Sequence, residues 1–281
     1  MTALSRRQLL VGGSALLVLA GCGGPSIPTP TASPTGSIRA QLDEALRTIS
    51  GGSDAFGVAI HDLRSGADYG FNAGYASQSA SIAKPMIVLM AQVEARASGG
   101  GLSPEQVEEA TKAITQSDND SADALWEDGG RSNAYTELAR GLAMPDTHHD
   151  PARDFWSWTW TTPADQVLLL TRLTEGSPAI TRQEGAFVWD LMGKVEDSQA
   201  WGVGAPRSST VIAHLKNGWV QFESTDGLWA VNSIGQVTGD GRDYRIAIMT
   251  RTADFDTGRE TCSTVGRWVF DILGSGEIEP A

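Results

Sequence analysis

Ser81 and Lys84 stand three positions apart at the start of a stretch, Ser81 to Ala97, in which Ile82, Met86, Ile87, Met90 and Val93 recur at helical spacing. On a helix, positions three apart share a face, so this spacing carries the amine toward the hydroxyl. The N-terminal end of a helix also favours negative charge, through its free N–H groups and its dipole. A serine hydroxyl beside an amine that can lose its proton is an activated nucleophile that needs no histidine. Pro85 falls in the first turn of the expected helix, where a missing N–H costs little.

Two further clusters have residue types suited to the same chemistry. Ser117-Asp118-Asn119 lies at the junction of two helical stretches. There the hydroxyl could relay a proton, and the amide could bind a substrate carbonyl and the lysine. The same residues would equally serve as the N-cap of the helix that follows. Lys216-Asn217-Gly218 closes an apolar run that begins at Thr210. A cation at that position would bind an anionic substrate group, and glycine would let a ligand approach the strand edge; an ordinary strand-to-turn boundary would look similar. The chain holds four lysines, at 84, 112, 194 and 216, and two of them fall in these clusters. Trp219 follows directly and is expected to line the same cleft.

The elements that must position these residues follow from hydrophobic period and punctuation. Leu42, Ala45, Leu46 and Ile49 predict a helix over Ile38 to Ile49, closed by Gly51-Gly52. Ala55 to Ile60 and Ala67 to Phe71 read as two strands around the turn-rich Asp62-Leu63-Arg64-Ser65-Gly66. Leu102 to Leu173 is almost all helical in pattern, with openings at Ser103-Pro104, Asp120 and Thr162-Pro163, and another helix runs from Thr181 to Met192. Strand patterns return at Thr210 to Leu215, Leu228 to Val237 and Arg245 to Thr250, and a last helix ends near Leu273. Short Gly- and Asp-containing connections make neighbouring strands antiparallel. The expectation is an α+β domain with a five-stranded antiparallel sheet, the terminal helices on one face, and an all-helical lobe inserted on the other. A substrate cleft belongs between the lobes.

In that order and on those elements, Ser81-Ile82-Ala83-Lys84, Ser117-Asp118-Asn119 and Lys216-Asn217-Gly218 resemble the S-x-x-K, S-D-N and K-T-G motifs of the class A β-lactamases and their penicillin-binding relatives. Gly57-Val58-Ala59-Ile60-His61-Asp62 is similar to the first strand of that family. Thr161-Thr162-Pro163-Ala164 is similar to the helix opening after its Ω-loop. The resemblance runs from about Ile38 to Leu273. It implies that Ser81 is acylated, that Lys84 takes its proton, and that Ser117 passes a proton to the leaving nitrogen. It further implies that Asn119, Lys216, Asn217, Gly218 and Trp219 bind substrate, and that the backbone N–H groups of Ser81 and Trp219 form the oxyanion hole. No cofactor or metal is implied. The substrate it implies is a β-lactam or a small molecule derived from peptidoglycan.

The chain departs from the pattern in four places. The family's Ω-loop glutamate, which activates the deacylating water, has no counterpart in Asp146 to Phe155; Asp150 or Asp154 could stand in for it. Asn217 replaces a hydroxyl residue. No arginine occurs from Ser224 to Asn232, and the interval from Ser81 to Ser117 is shorter than in those enzymes. Acylation followed by slow deacylation is the expectation. The alternative is a non-catalytic or peptidoglycan-peptide-binding lipoprotein of the same fold.

Residues 1–22 read as a lipoprotein signal: Arg6-Arg7 precede a short apolar run that ends Leu19-Ala20-Gly21-Cys22, a sequence similar to a lipobox. The Ser5-Arg6-Arg7 start resembles a twin-arginine signal. Residues 23–37 are rich in Pro, Ser, Thr and Gly and suit a tether, leaving 38–281 as one domain. The expected location is the outer face of the cell membrane, with Cys22 lipidated. Cleavage removes Arg6 and Arg7 and no acid, which takes the net charge from −13 to −15. That acidity argues against nucleic acid as a partner, and a monomer is expected. With Cys22 lipidated, Cys262, the one other cysteine, has no disulfide partner. No G-x-S-x-G, H-E-x-x-H, C-x-x-C or phosphate-binding loop is present. His148-His149-Asp150 lacks further ligands for a metal, and His61 and His214 are expected to be structural. The aromatic run Phe155 to Trp160 is expected to pack the short loop onto the protein body.

Overall fold

The computed structural model describes residues 36–281 except Asp54, Pro151, Asp154, Arg207 and residues 222–226. The expected signal with Cys22, most of the expected tether, Asp154 and Ser224 therefore lie outside the described residues. Helix α1 (Ile38–Ser50) leads into strands β1 (Phe56–Asp62), β2 (Ala67–Phe71) and β3 (Ser77–Gln78). Helices α2 (Lys84–Ala97), α3 (Pro104–Thr115), α4 (Asn119–Asp128) and α5 (Arg131–Gly141) follow. Strands β4 (His148–His149) and β5 (Thr159–Thr161) then precede α6 (Pro163–Glu175) and α7 (Arg182–Met192). The chain ends with β6 (Ile212–Gln221), β7 (Trp229–Gly239), β8 (Arg242–Thr252) and α8 (Phe255–Leu273).

The main sheet has five strands in the order β2-β1-β8-β7-β6, every pair antiparallel, as expected. Alternation along the strands assigns the faces. Val58 and Ile60 of β1 pair with Ile248 and Ile246 of β8, and all four point into the layer formed with α1 and α8, where Leu42, Leu46, Val265 and Val269 meet them. Ala59 and Ala247 point the other way, toward the helical lobe. Cys262 of α8 is buried in the first layer, and burial pushes its thiol up to about 12, so it packs as a small hydrophobe.

Helix α2 is the axis of the helical lobe. Every residue from Lys84 to Ala91 is buried, so the helix is covered on all sides rather than on the single face its spacing suggested. Burying each large side chain of Met86, Ile87, Leu89 and Met90 contributes about 1.5–3 kcal/mol. Caps fix the starts of its neighbours. Ser103 and Gln106 form a capping box on α3, Asp118 accepts from Ser121 N on α4, and Thr162 accepts from Asp165 N on α6.

Two features differ from the expectation. A second sheet, β3-β5-β4, joins the segment before Ser81 to the Ω-loop segment, with Ser77 opposite Thr161 and Gln78 opposite Trp160. Its strands of two or three residues are too short to show any period. Strand β6 continues to Gln221, so Lys216-Asn217-Gly218 lies inside the strand and not at its end. Lys, Asn and Gly read as turn formers, but here all three are buried by the turn packed against them.

Candidate active site

Ser81 sits in a single 3-10 turn, Ala80–Ala83, which runs directly into α2. Three contacts hold the turn. Ser79 N donates to Thr159 O at 2.9 Å, which ties it to β5. Asn232 Nδ2 on β7 donates to Gln78 O at 2.9 Å and to Ser79 O at 3.1 Å. The third is the β6 backbone at Gly218, where a Cβ would come within 2.7 Å of Ser81 N and 2.6 Å of Ile82 N. Only glycine lets the strand lie so close. Ala80 and Ser117 both take left-handed backbone conformations, with φ of 50° and 62°. Such non-glycine conformations cost of the order of 1–3 kcal/mol each and persist where surrounding contacts enforce them.

The two motif lysines converge on Ser117. Lys84 Nζ donates to Ser117 O at 2.5 Å and to Asn119 Oδ1 at 2.8 Å, and lies 3.4 Å from Ser117 Oγ. From the sheet, Lys216 Nζ donates to Ser117 Oγ at 2.9 Å and to Asn217 O at 2.8 Å. Both side chains are fully buried, which is rare for lysine. Burial lowers the Lys84 amine to about 7 against the opposing pull of Asp118 and Asp123. Burial, and then repulsion from Lys84, also holds Lys216 well below its ordinary value. The Trp156 ring lies 4.9 Å from Lys84 Nζ and closes it off from water. A neutral Lys84 has a lone pair for a proton, and Ser117 Oγ links it to Lys216.

A cleft of about 320 Å³ opens over this group, lined by Ser81, Ser117, Asn119 and Trp219 together with Asp123 and Trp156. The structure thus brings Ser81, Lys84, Ser117, Asn119, Lys216, Gly218 and Trp219 into one place. Asn217 does not join them. Its Nδ2 donates to Gln199 O at 2.6 Å and Trp201 O at 3.2 Å, so neither amide hydrogen is left for a ligand, contrary to its expected role in binding substrate. Asp118 is the α4 cap, so Ser117-Asp118-Asn119 both starts a helix and presents polar groups to the cleft. Asp150 is absent from the lining and accepts from Ala152 N within its own loop. His149 is held by Ser132 Oγ and Phe155 O, and among the described residues no cluster of His, Cys, Asp or Glu could hold a metal.

Several cleft residues were not singled out from sequence. Asp123 stands four positions after Asn119 on α4, a spacing that places both on one helical face and was open to notice. Trp156 donates from Nε1 to Asp123 Oδ1 at 2.6 Å, while Phe155 is 65% exposed at the cleft. The aromatic run therefore packs the loop, as expected, and also walls the cleft.

Comparison with known proteins agrees with this fold. The beta-lactamase enzyme family matches residues 101–273, more than half the chain. No curated protein matched. Among solved structures, a class A beta-lactamase from Bacteroides cellulosilyticus superposes with a TM-score of 0.70 at 18% identity, covering 85% of this chain and 99% of that one. The TLA-3 extended-spectrum beta-lactamase gives 0.72 at 17% identity over 84% and 99%. A beta lactamase from Xanthomonas campestris gives 0.69 at 19% identity over 85% and 99%. At these identities the likeness is one of fold.

Proposed function

Because the chain belongs to the beta-lactamase enzyme family, we propose that it is a serine hydrolase that forms an acyl-enzyme at Ser81 with β-lactams or related cell-wall amides. Ser81 Oγ attacks the amide carbonyl as neutral Lys84 takes its proton. The backbone N–H groups of Ser81 and Trp219 receive the oxyanion; a donor of this kind is typically worth about 3–4 kcal/mol. Ser117 Oγ passes a proton to the departing nitrogen, and Lys216 attracts the substrate carboxylate. Asn119 orients Lys84 and the substrate. The observation that carries this proposal is the convergence of two buried amines on Ser117 Oγ beside Ser81, with Lys84 near neutrality at physiological pH. A fluorescent penicillin labels the parent protein and not Ser81→Ala; labelling that survives in Ser81→Ala refutes the serine mechanism.

Residues 1–22 support a further part of the proposal, namely export and lipid attachment at Cys22 to the outer face of the cell membrane. Among the described residues no helix is long and apolar enough to cross a membrane. Cys22→Ser should release the protein from the membrane fraction, and unchanged partitioning would refute the anchor.

A further inference from the structure

We infer that Asp123 activates the water that releases the acyl group from Ser81, an inference that rests on the acyl-enzyme proposed above. Water is a poor nucleophile toward an ester, and turnover needs a base within reach of it. Among the described residues that line the cleft, Asp123 carries the one carboxylate. It lies one turn along α4 from Asn119, whose Oδ1 holds Lys84, so its side chain is on the helical face turned to the reacting group. Trp156 Nε1 donates to Oδ1 at 2.6 Å and fixes the carboxylate, which retains further acceptor positions for a water. Lys84 is buried under the Trp156 ring with its hydrogen bonds directed to Ser117 and Asn119, whereas Asp123 is exposed to solvent. Water has access to the carboxylate and not to the amine.

In this step a water O–H gives its proton to the Asp123 carboxylate as the water oxygen bonds to the acyl carbon. The tetrahedral intermediate then breaks its bond to Ser81 Oγ, and the proton held by Asp123 returns to that oxygen. One water is consumed, one carboxylic acid is released, and both Ser81 and Asp123 are restored.

The test is intact-mass spectrometry of the full-chain protein with a penicillin, which follows adduct formation and, after free drug is removed, adduct decay across pH. In Asp123→Asn the adduct should still form but decay at least about 100-fold more slowly, the usual contribution of a positioned general base. Asp123→Glu, which keeps a carboxylate, should recover part of the rate. Decay at the parental rate in Asp123→Asn overturns the inference, as does a parent adduct that never decays. Equal losses in the Asn and Glu variants with a lowered Tm assign Asp123 to structure and also overturn it. A parent that forms no adduct and leaves the penicillin intact refutes the acyl-enzyme itself.

Discussion

Lys216 Nζ, carried by the sheet, donates a hydrogen bond of 2.9 Å to Ser117 Oγ, carried by the helical lobe, so the two halves of the site meet at one hydroxyl. Leaving a buried hydroxyl without its donor typically costs about 1–3 kcal/mol. Lys216→Met should therefore lower the second-order rate of Ser81 acylation by about 10–100-fold, measured with a chromogenic cephalosporin or by adduct formation. An unchanged rate would remove Lys216 from the site.

The Lys84 amine, lowered to about 7 chiefly by burial, is protonated below that value and neutral above it. Only the neutral form accepts the Ser81 proton. The acylation rate should therefore fall about tenfold per pH unit in acid and level off by about pH 8. Acylation rates measured across pH with Ser81 labelling check the sign, and a rate that rises as pH falls would contradict it.

Gly218 packs its backbone against Ser81 N, where a Cβ would come within 2.7 Å. Gly218→Ala must push the strand or the Ser81 turn aside, and a misplaced site loses about 100-fold in rate. The clash falls at a buried position and should also cost about 1–3 kcal/mol of stability. Comparing adduct formation with thermal unfolding separates the two.

Phe155 is exposed at the cleft, where it offers an apolar ring to a ligand and no group to the chemistry. Phe155→Ala should raise KM for substrates with an aromatic acyl side chain and leave kcat nearly as it was, since it removes binding shared by ground and transition states. A fall in kcat alone would contradict this assignment.

Away from the site, Asp62 is buried at the β1–β2 turn, where Arg64 and Ile278 N donate to it, and Arg64 also donates to Leu273 O and Gly276 O near the C-terminus. Burial alone would raise the Asp62 carboxyl; the Arg64 bond and two backbone N–H groups more than offset it and leave it lowered. The stabilisation is thus present above about pH 4, the unfolded value, and is lost as pH falls through the lower folded value. Asp62→Asn removes the carboxylate that faces Arg64 and should cost about 3 kcal/mol, or roughly 6–12 °C in Tm.

Much of this site was legible in the chain because its chemistry is local. Ser81 and Lys84 share one helix start, Ser117 and Asn119 another, and Lys216 with Gly218 one strand. The sheet was legible because alternation is strong, as at Val58-Ala59-Ile60. What escaped depends on contacts between distant segments. Asn217 has the right neighbours in sequence, yet its amide is drawn to Gln199 and Trp201. The carboxylate that lines the cleft, Asp123, comes from α4, and Trp156 of the Ω-loop segment reaches over from a distant part of the chain to bond it. Asn232 grips the turn before Ser81 from a strand more than 150 positions away, and no local pattern marks it.

A covalent acyl-enzyme at Ser81 is read most plainly by intact-mass spectrometry of the purified protein with a penicillin. The expected result is a mass increase equal to the intact drug, mapped by peptide digestion to Ser81 and absent in Ser81→Ala. An adduct on another residue, or an equal adduct in Ser81→Ala, would contradict it.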